Sequence, residues 1–160
     1  MKKLLTLIVF LISLFVLSGC NNGSHLVEIN ADEIFTQEGN YYIFFYEEDS
    51  EDSDSVKPVV EAYMDAVTKE EKYQSKSKVY AVNLSNEENK AILRTYNGEL
   101  GQGDAGDFYV NGVTKWEDLY IASTSALISI KTNSENLTYA EFEAQTATNI
   151  YTFLGSYLDN

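Results

Sequence analysis

The chemistry open to this chain is bounded by what is scarce in it. Of 160 residues, one is cysteine, Cys20, and one is histidine, His25. A lone thiol cannot complete a dithiol pair, which needs one sulfur to attack and a second to resolve the mixed disulfide. His25 closes a polar stretch, Asn21-Asn22-Gly23-Ser24-His25, that reads as linker. The folded part therefore has no imidazole for a zinc site or a Ser-His-Asp triad. Carboxylates are plentiful, with 25 Asp and Glu, but no spacing singles out a general acid and base. The densest group is Glu47, Glu48, Asp49, Glu51, Asp52 and Asp54. Hard cations such as calcium favour several carboxylate oxygens, yet this spacing lacks the central glycine and distal glutamate of an EF-hand loop. A solvated, acidic helix entrance is the expectation. Gly101-Gln102-Gly103-Asp104-Ala105-Gly106 lacks the Gly-Lys-Ser/Thr ending of a phosphate-binding loop and reads as flexible surface. No metal and no cofactor are expected. Tyr109, Trp116 and Tyr120 flank the glycine-rich stretch and form a candidate binding surface, since Tyr and Trp are common at interfaces. The competing expectation is that Trp116 and Tyr120 pack a short helix onto the core.

Cys20 has a specific setting. Lys2 and Lys3 precede an apolar block over residues 4–16, and Leu17-Ser18-Gly19-Cys20 closes it. A basic start, a short apolar core and small residues are the anatomy of a secretory signal. About 13 apolar residues fall short of the roughly 20 needed to span a bilayer. Leu-Ser-Gly-Cys resembles the lipobox of bacterial lipoproteins. That resemblance implies cleavage before Cys20, a diacylglyceryl group on its sulfur and acylation, palmitate included, of the new N-terminus. More than one chain on one residue meets the two-signal requirement for stable anchoring. The expected organisation is a signal peptide over 1–19, lipidated Cys20 and a short linker over 20–25, and one domain over 26–160. Removing 19 of 160 residues leaves 141, with nine basic residues against 25 acidic ones and a formal charge of −16. Such a chain repels phosphate backbones, so nucleic acid is excluded as a partner. It cannot hold an anionic membrane by charge either, so the lipid must do the tethering.

The elements that would position any site follow from the apolar pattern. Residues 26–29 form a short strand candidate, with Asn30 capping a helix over 31–35 that carries Asp32 and Glu33 in its first turn. Tyr41-Tyr42-Ile43-Phe44-Phe45-Tyr46 is apolar without alternation, as expected of a strand covered on both faces. An acidic loop over 47–54 precedes a helix over 56–67, where Pro58 is tolerated in the first turn. A strand over 78–83 follows, then a helix over 86–93 with Ser85 as cap and Glu88 in capping-box position. A long loop over 96–112 with a short strand over 108–110, a short helix over 114–120 and a strand over 126–131 come next. The tail reads as a strand over 137–142, in preference to one long helix opened by Thr138 and Glu141, and ends in a helix over 147–158. Strands separated by helices imply an α/β domain with a central mixed sheet flanked by helices.

That order resembles the thioredoxin fold over most of residues 26–158. Thioredoxins carry Cys-x-x-Cys where a buried strand runs into a helix, and the matching segment here is Ser50-Glu51-Asp52-Ser53. Ser125 stands where a cis proline faces the cysteines, and Ala144 where a glycine precedes the last helix. The resemblance therefore implies a degenerate redox site at Ser50, Ser53 and Ser125. A serine hydroxyl is not ionised near neutral pH and forms no disulfide, and six nearby carboxylates would oppose a thiolate. The chain is thus expected to be no enzyme but a binding or accessory module for a protein or peptide partner. Its expected place is the extracytoplasmic face of the cell membrane, most naturally of Gram-positive type. Similar accessory lipoproteins include some linked to bacteriocin export or immunity. The alternatives are a factor related to thiol-disulfide oxidoreductases or a calcium-dependent binding protein. Cys20→Ser should abolish palmitate labelling and move the protein from the membrane to the soluble fraction on cell fractionation. Labelling that persists in this variant overturns the anchor.

Overall fold

The computed structural model describes residues 25–93, 109–121 and 125–158, with side chains of 157 and 158 left aside; Cys20, Phe108 and the glycine-rich stretch lie outside them. The element that organises the rest is β2, Tyr41–Tyr46, in which every residue is buried. Its alternate side chains serve two layers. Tyr41, Ile43 and Phe45 enter one apolar cluster, and Tyr42, Phe44 and Tyr46 enter another on the opposite face. Buried on both faces, the strand must also have both edges paired. It runs parallel to β3, Val79–Asn83, and antiparallel to β4, Ser125–Thr132. Outside these lie β1, Val27–Glu28, parallel to β3, and β5, Thr138–Ala144, antiparallel to β4. The five-stranded mixed sheet has the order β1-β3-β2-β4-β5, so the domain is α/β as expected.

Helix α1, Glu51–Lys69, follows β2, and α2, Ala147–Leu158, closes the described chain. The two pack on each other and on the face carrying Tyr42, Phe44 and Tyr46. Val56, Val60, Tyr63, Met64 and Val67 form the buried stripe of α1 at helical spacing. The other face is covered by short pieces. These are single 3-10 turns at Ala31–Glu33, Lys90–Ile92 and Trp116–Asp118, together with Val110, Leu119 and Ile121. Asn111–Val113 also lies along the outer edge of β5. Gly112 donates its N–H to the Ala140 carbonyl at 2.9 Å, Ala140 donates to the Val113 carbonyl at 2.8 Å, and Phe142 donates to Asn111 Oδ1 at 2.7 Å. Gly112 has φ +81°, a left-handed turn that suits glycine. The β4–β5 hairpin is held by Asn133, whose Oδ1 accepts from the Glu135 and Leu137 amides at 3.0 Å each.

Five expectations need correction. Helix α1 begins at Glu51 rather than in the middle fifties, so half of the acidic stretch is helical. Glu51, Asp52 and Asp54 fall in its first turn, where the helix dipole favours carboxylates although they add nothing to the apolar pattern. Pro58 consequently sits inside the helix and removes the hydrogen bond that the Asp54 carbonyl would receive; both residues are exposed, so water can replace it. Residues 86–93 form turns and one 3-10 turn instead of a helix, because Asn83, Ser85 and Asn89 use their side chains on nearby and distant backbone groups. Tyr109 and Val110 lie in a turn, not a strand. The helices expected over 31–35 and 114–120 shrink to single 3-10 turns.

Tyr41 combines burial with a hydrogen bond from its hydroxyl to the Ile34 carbonyl at 2.7 Å. Burial pushes that hydroxyl from its ordinary 10.0 up to about 12. The folded chain thus keeps a proton that the unfolded chain releases. Its contribution is full below pH 10.0 and is lost as pH climbs towards about 12. Urea midpoints measured across that window should fall with pH, and Tyr41→Phe should flatten the decline.

Candidate functional site

The carboxyl end of β2 is where the sheet, α1 and the β3 exit meet. Leaving Tyr46, the chain passes Asp49 at φ +59°, a left-handed conformation that Asp tolerates better than most residues. Ser50 follows in extended conformation as the N-cap of α1, and the Asp54 N–H closes the first turn on the Ser50 carbonyl at 2.8 Å. Ser53, one turn in, is buried at 1 % exposure, and its Oγ accepts the Glu47 N–H at 2.9 Å. One hydroxyl thereby ties the entering loop to the helix it precedes.

A second set of polar groups fixes the same loop from the other side. The Glu48 N–H donates to Ser85 Oγ at 2.8 Å, and Asn83 Nδ2 donates to Glu48 Oε1 at 2.9 Å. Asn83 Oδ1 accepts the Ser85 N–H at 2.9 Å. Buried Asn89 donates through Nδ2 to the Asn83 carbonyl and accepts the Ala31 N–H on Oδ1, both at 2.9 Å. The Leu84 N–H completes the link to the Tyr46 carbonyl at 2.7 Å. At buried Asn83 and Asn89 these bonds favour the observed geometry, because an alternative would leave a buried donor or acceptor without a partner. Beside them the Tyr46 hydroxyl donates to Glu28 Oε1, and Lys57 Nζ sits 4.3 Å from the Tyr46 ring centroid. Burial, reinforced by that hydrogen bond and the neighbouring carboxylates, pushes the Tyr46 hydroxyl well above its ordinary range, so it acts as a donor.

Ser125 opens β4 directly opposite Tyr46. It lines a cleft of about 280 Å³ with Asp52 and Ser55 from the start of α1 and Gln145, Thr146 and Ala147 from the entry to α2. Ser125 is therefore brought against the first turn of α1, whose limits are set by Ser50 and Ser53. Tyr109, Trp116 and Tyr120 form a separate group. The Tyr109 and Tyr120 rings meet edge to face at 5.8 Å, and the Tyr120 N–H donates to the Tyr109 carbonyl at 3.3 Å. Trp116, half-buried, packs on the cluster beneath the opposite face of the sheet. The two candidate surfaces thus lie on different faces. His25 lies against α1, with Nε2 3.9 Å from Asp65 Oδ1.

Among the described residues, no group of three or more His, Cys, Asp and Glu side chains is arranged to hold a metal ion. In the first turn of α1, Glu51 and Asp54 share a side three residues apart while Asp52 points about 100° away from Glu51, so the three carboxylates do not converge on one point. Sequence reasoning missed Asn83, Ser85 and Asn89 as members of the site. The available signal was Asn83 itself, a polar residue closing an otherwise apolar strand. No protein-family model matches the chain, and no curated protein matches it. Ser53→Ala leaves the Glu47 amide without its buried acceptor and should lower stability by about 1–3 kcal/mol in urea unfolding.

Proposed function

We propose that the protein is a lipid-anchored, extracytoplasmic accessory module whose thioredoxin-like domain binds a protein or peptide partner and carries out no thiol chemistry. The fold reading is supported by the strand order, with β1, β3 and β2 parallel, β4 and β5 antiparallel, and α1 leaving the central strand. The observation that carries the functional reading is the pair Ser50 and Ser53, one capping α1 and one buried in its first turn. In the fold it resembles, these positions hold the redox sulfurs. A hydroxyl there offers no thiolate, and the Ser53 oxygen is engaged by the Glu47 amide. The chain's sole thiol, Cys20, stands in the lipobox-like run.

What remains available is recognition. The polar cleft beside Ser125 and the carboxylates of the α1 entrance favour a partner segment that brings hydrogen-bond donors and positive charge, with association weakening as salt rises. The cleft is walled by the starts of α1, β4 and α2, and regular elements lower the ordering cost of binding. The anchor supplies proximity to the membrane, and crosslinking on intact cells followed by pull-down through the protein would identify the partner.

The native chain should show no insulin reduction above the uncatalysed rate; measurable turnover rejects the proposal. The double variant Ser50→Cys/Ser53→Cys provides a positive control for the site assignment. At helical geometry the Cα atoms of residues three apart lie about 5 Å apart, within the Cα separation of about 4.4–6.8 Å that a disulfide spans. In a Cys20→Ser background this variant should therefore form an intramolecular disulfide on mild oxidation, read as loss of free thiols in the monomer.

A further inference from the structure

Between α1 and α2 runs an apolar groove of about 470 Å³, lined by Pro58, Val59, Ala62 and Tyr63 on one side and Tyr151, Leu154 and Gly155 on the other. Its volume falls in the range of small-molecule sites, about 300–1,000 Å³. Tyr151 on its rim is 65 % exposed, the most exposed large hydrophobic among the described residues. At Gly155 a Cβ would meet no heavy atom within 4 Å, so no side chain of the described residues fills the opening there. Water over such a surface is unfavourable, and the feature asks for a cover.

The chain itself delivers one. His25 rests beside Asp65 of α1, and Leu26 packs into the cluster beneath that helix. Asp65 follows Ala62 by three residues and Pro58 by seven, so the tether's contact continues the stripe that lines the groove. Along the helix, Asp65 to Pro58 is about 10 Å. From His25 back to Cys20 are five residues, a reach of at most about 18 Å. Cys20 therefore reaches any point along the groove. A formal charge of −16 after signal removal disfavours pressing this face onto an anionic leaflet instead.

We infer that the α1–α2 groove receives one of the fatty acyl chains carried by Cys20, while the remaining lipid stays in the bilayer. This rests on the anchor reading above. The seated chain would fix which side of the domain faces the membrane and leave the Ser125 cleft in a defined orientation. The ligand class is a saturated acyl chain, recognised by apolar contact and by the aromatic rim of Tyr151.

The test is photocrosslinking in cells that express the full protein and are fed a palmitate analogue bearing a diazirine. After irradiation, peptides of the purified lipoprotein are mapped by mass spectrometry. The expected result is adducts within one polypeptide on residues 58–63 and 151–155. Gly155→Trp should remove them while leaving the thermal unfolding midpoint equal or higher, since replacing glycine favours the helix. Leu154→Ala gives a second variant with reduced adduct yield. Adducts only to phospholipid overturn the inference and leave the anchor standing, as do adducts only to a second copy of the chain. Failure of the analogue to enter the protein overturns both.

Discussion

Burial of β2 on both faces is the constraint from which the rest of the structure follows. Six successive residues, Tyr41–Tyr46, are withdrawn from water, and that withdrawal requires apolar cover above and below together with backbone partners on both edges. The helical layer of α1 and α2 supplies one cover, and the irregular segments around Ile92, Val110, Leu119 and Ile121 supply the other. Pairing to β3 and β4 supplies the edges. Tyr41 and Tyr46, the tyrosines among the described residues whose hydroxyls burial pushes well above their ordinary range, belong to this strand and satisfy those hydroxyls by donation.

The same constraint makes the strand's exit a rigid place. Where β2 ends, the chain must turn from a dry interior to a solvated helix entrance within four residues, 47–50. Ser53 holds that turn from the helix side, and Asn83, Ser85 and Asn89 hold it from the β3 side. These hydrogen bonds hold the turn beside the carboxylates of the α1 entrance.

Much of this was legible in the sequence wherever apolar content carried the signal. β2, β3, β4 and the strand reading of the β5 tail came from runs of Val, Ile, Phe and Tyr, and α2 from the spacing of Ile150 and Leu154. The start of α1 was hidden because Glu51, Asp52 and Asp54 stabilise a helix end electrostatically and leave no apolar trace. Residues 86–93 misled because Ser85 and Glu88 fit a capping pattern, whereas Ser85 is used by the Glu48 amide, far away in sequence. The positions Ser50, Ser53 and Ser125 were visible only through resemblance. Asn83 showed only as a polar residue closing an apolar strand and Asn89 not at all, since their roles exist only once β3 lies against β2.

The cover along the outer strand has a further consequence. Extended peptides often bind by adding themselves to a sheet as one more strand, using the unpaired amides and carbonyls of its margin. Here β5 already shares Ala140 and Phe142 with residues 111–113, and β1, at the other margin, is two residues long. Neither side offers a template of useful length for strand addition. Among the described residues, any recognition by this domain would therefore run through side chains and loop shape rather than backbone pairing. The same closure keeps neighbouring copies from zipping together wherever the protein is concentrated.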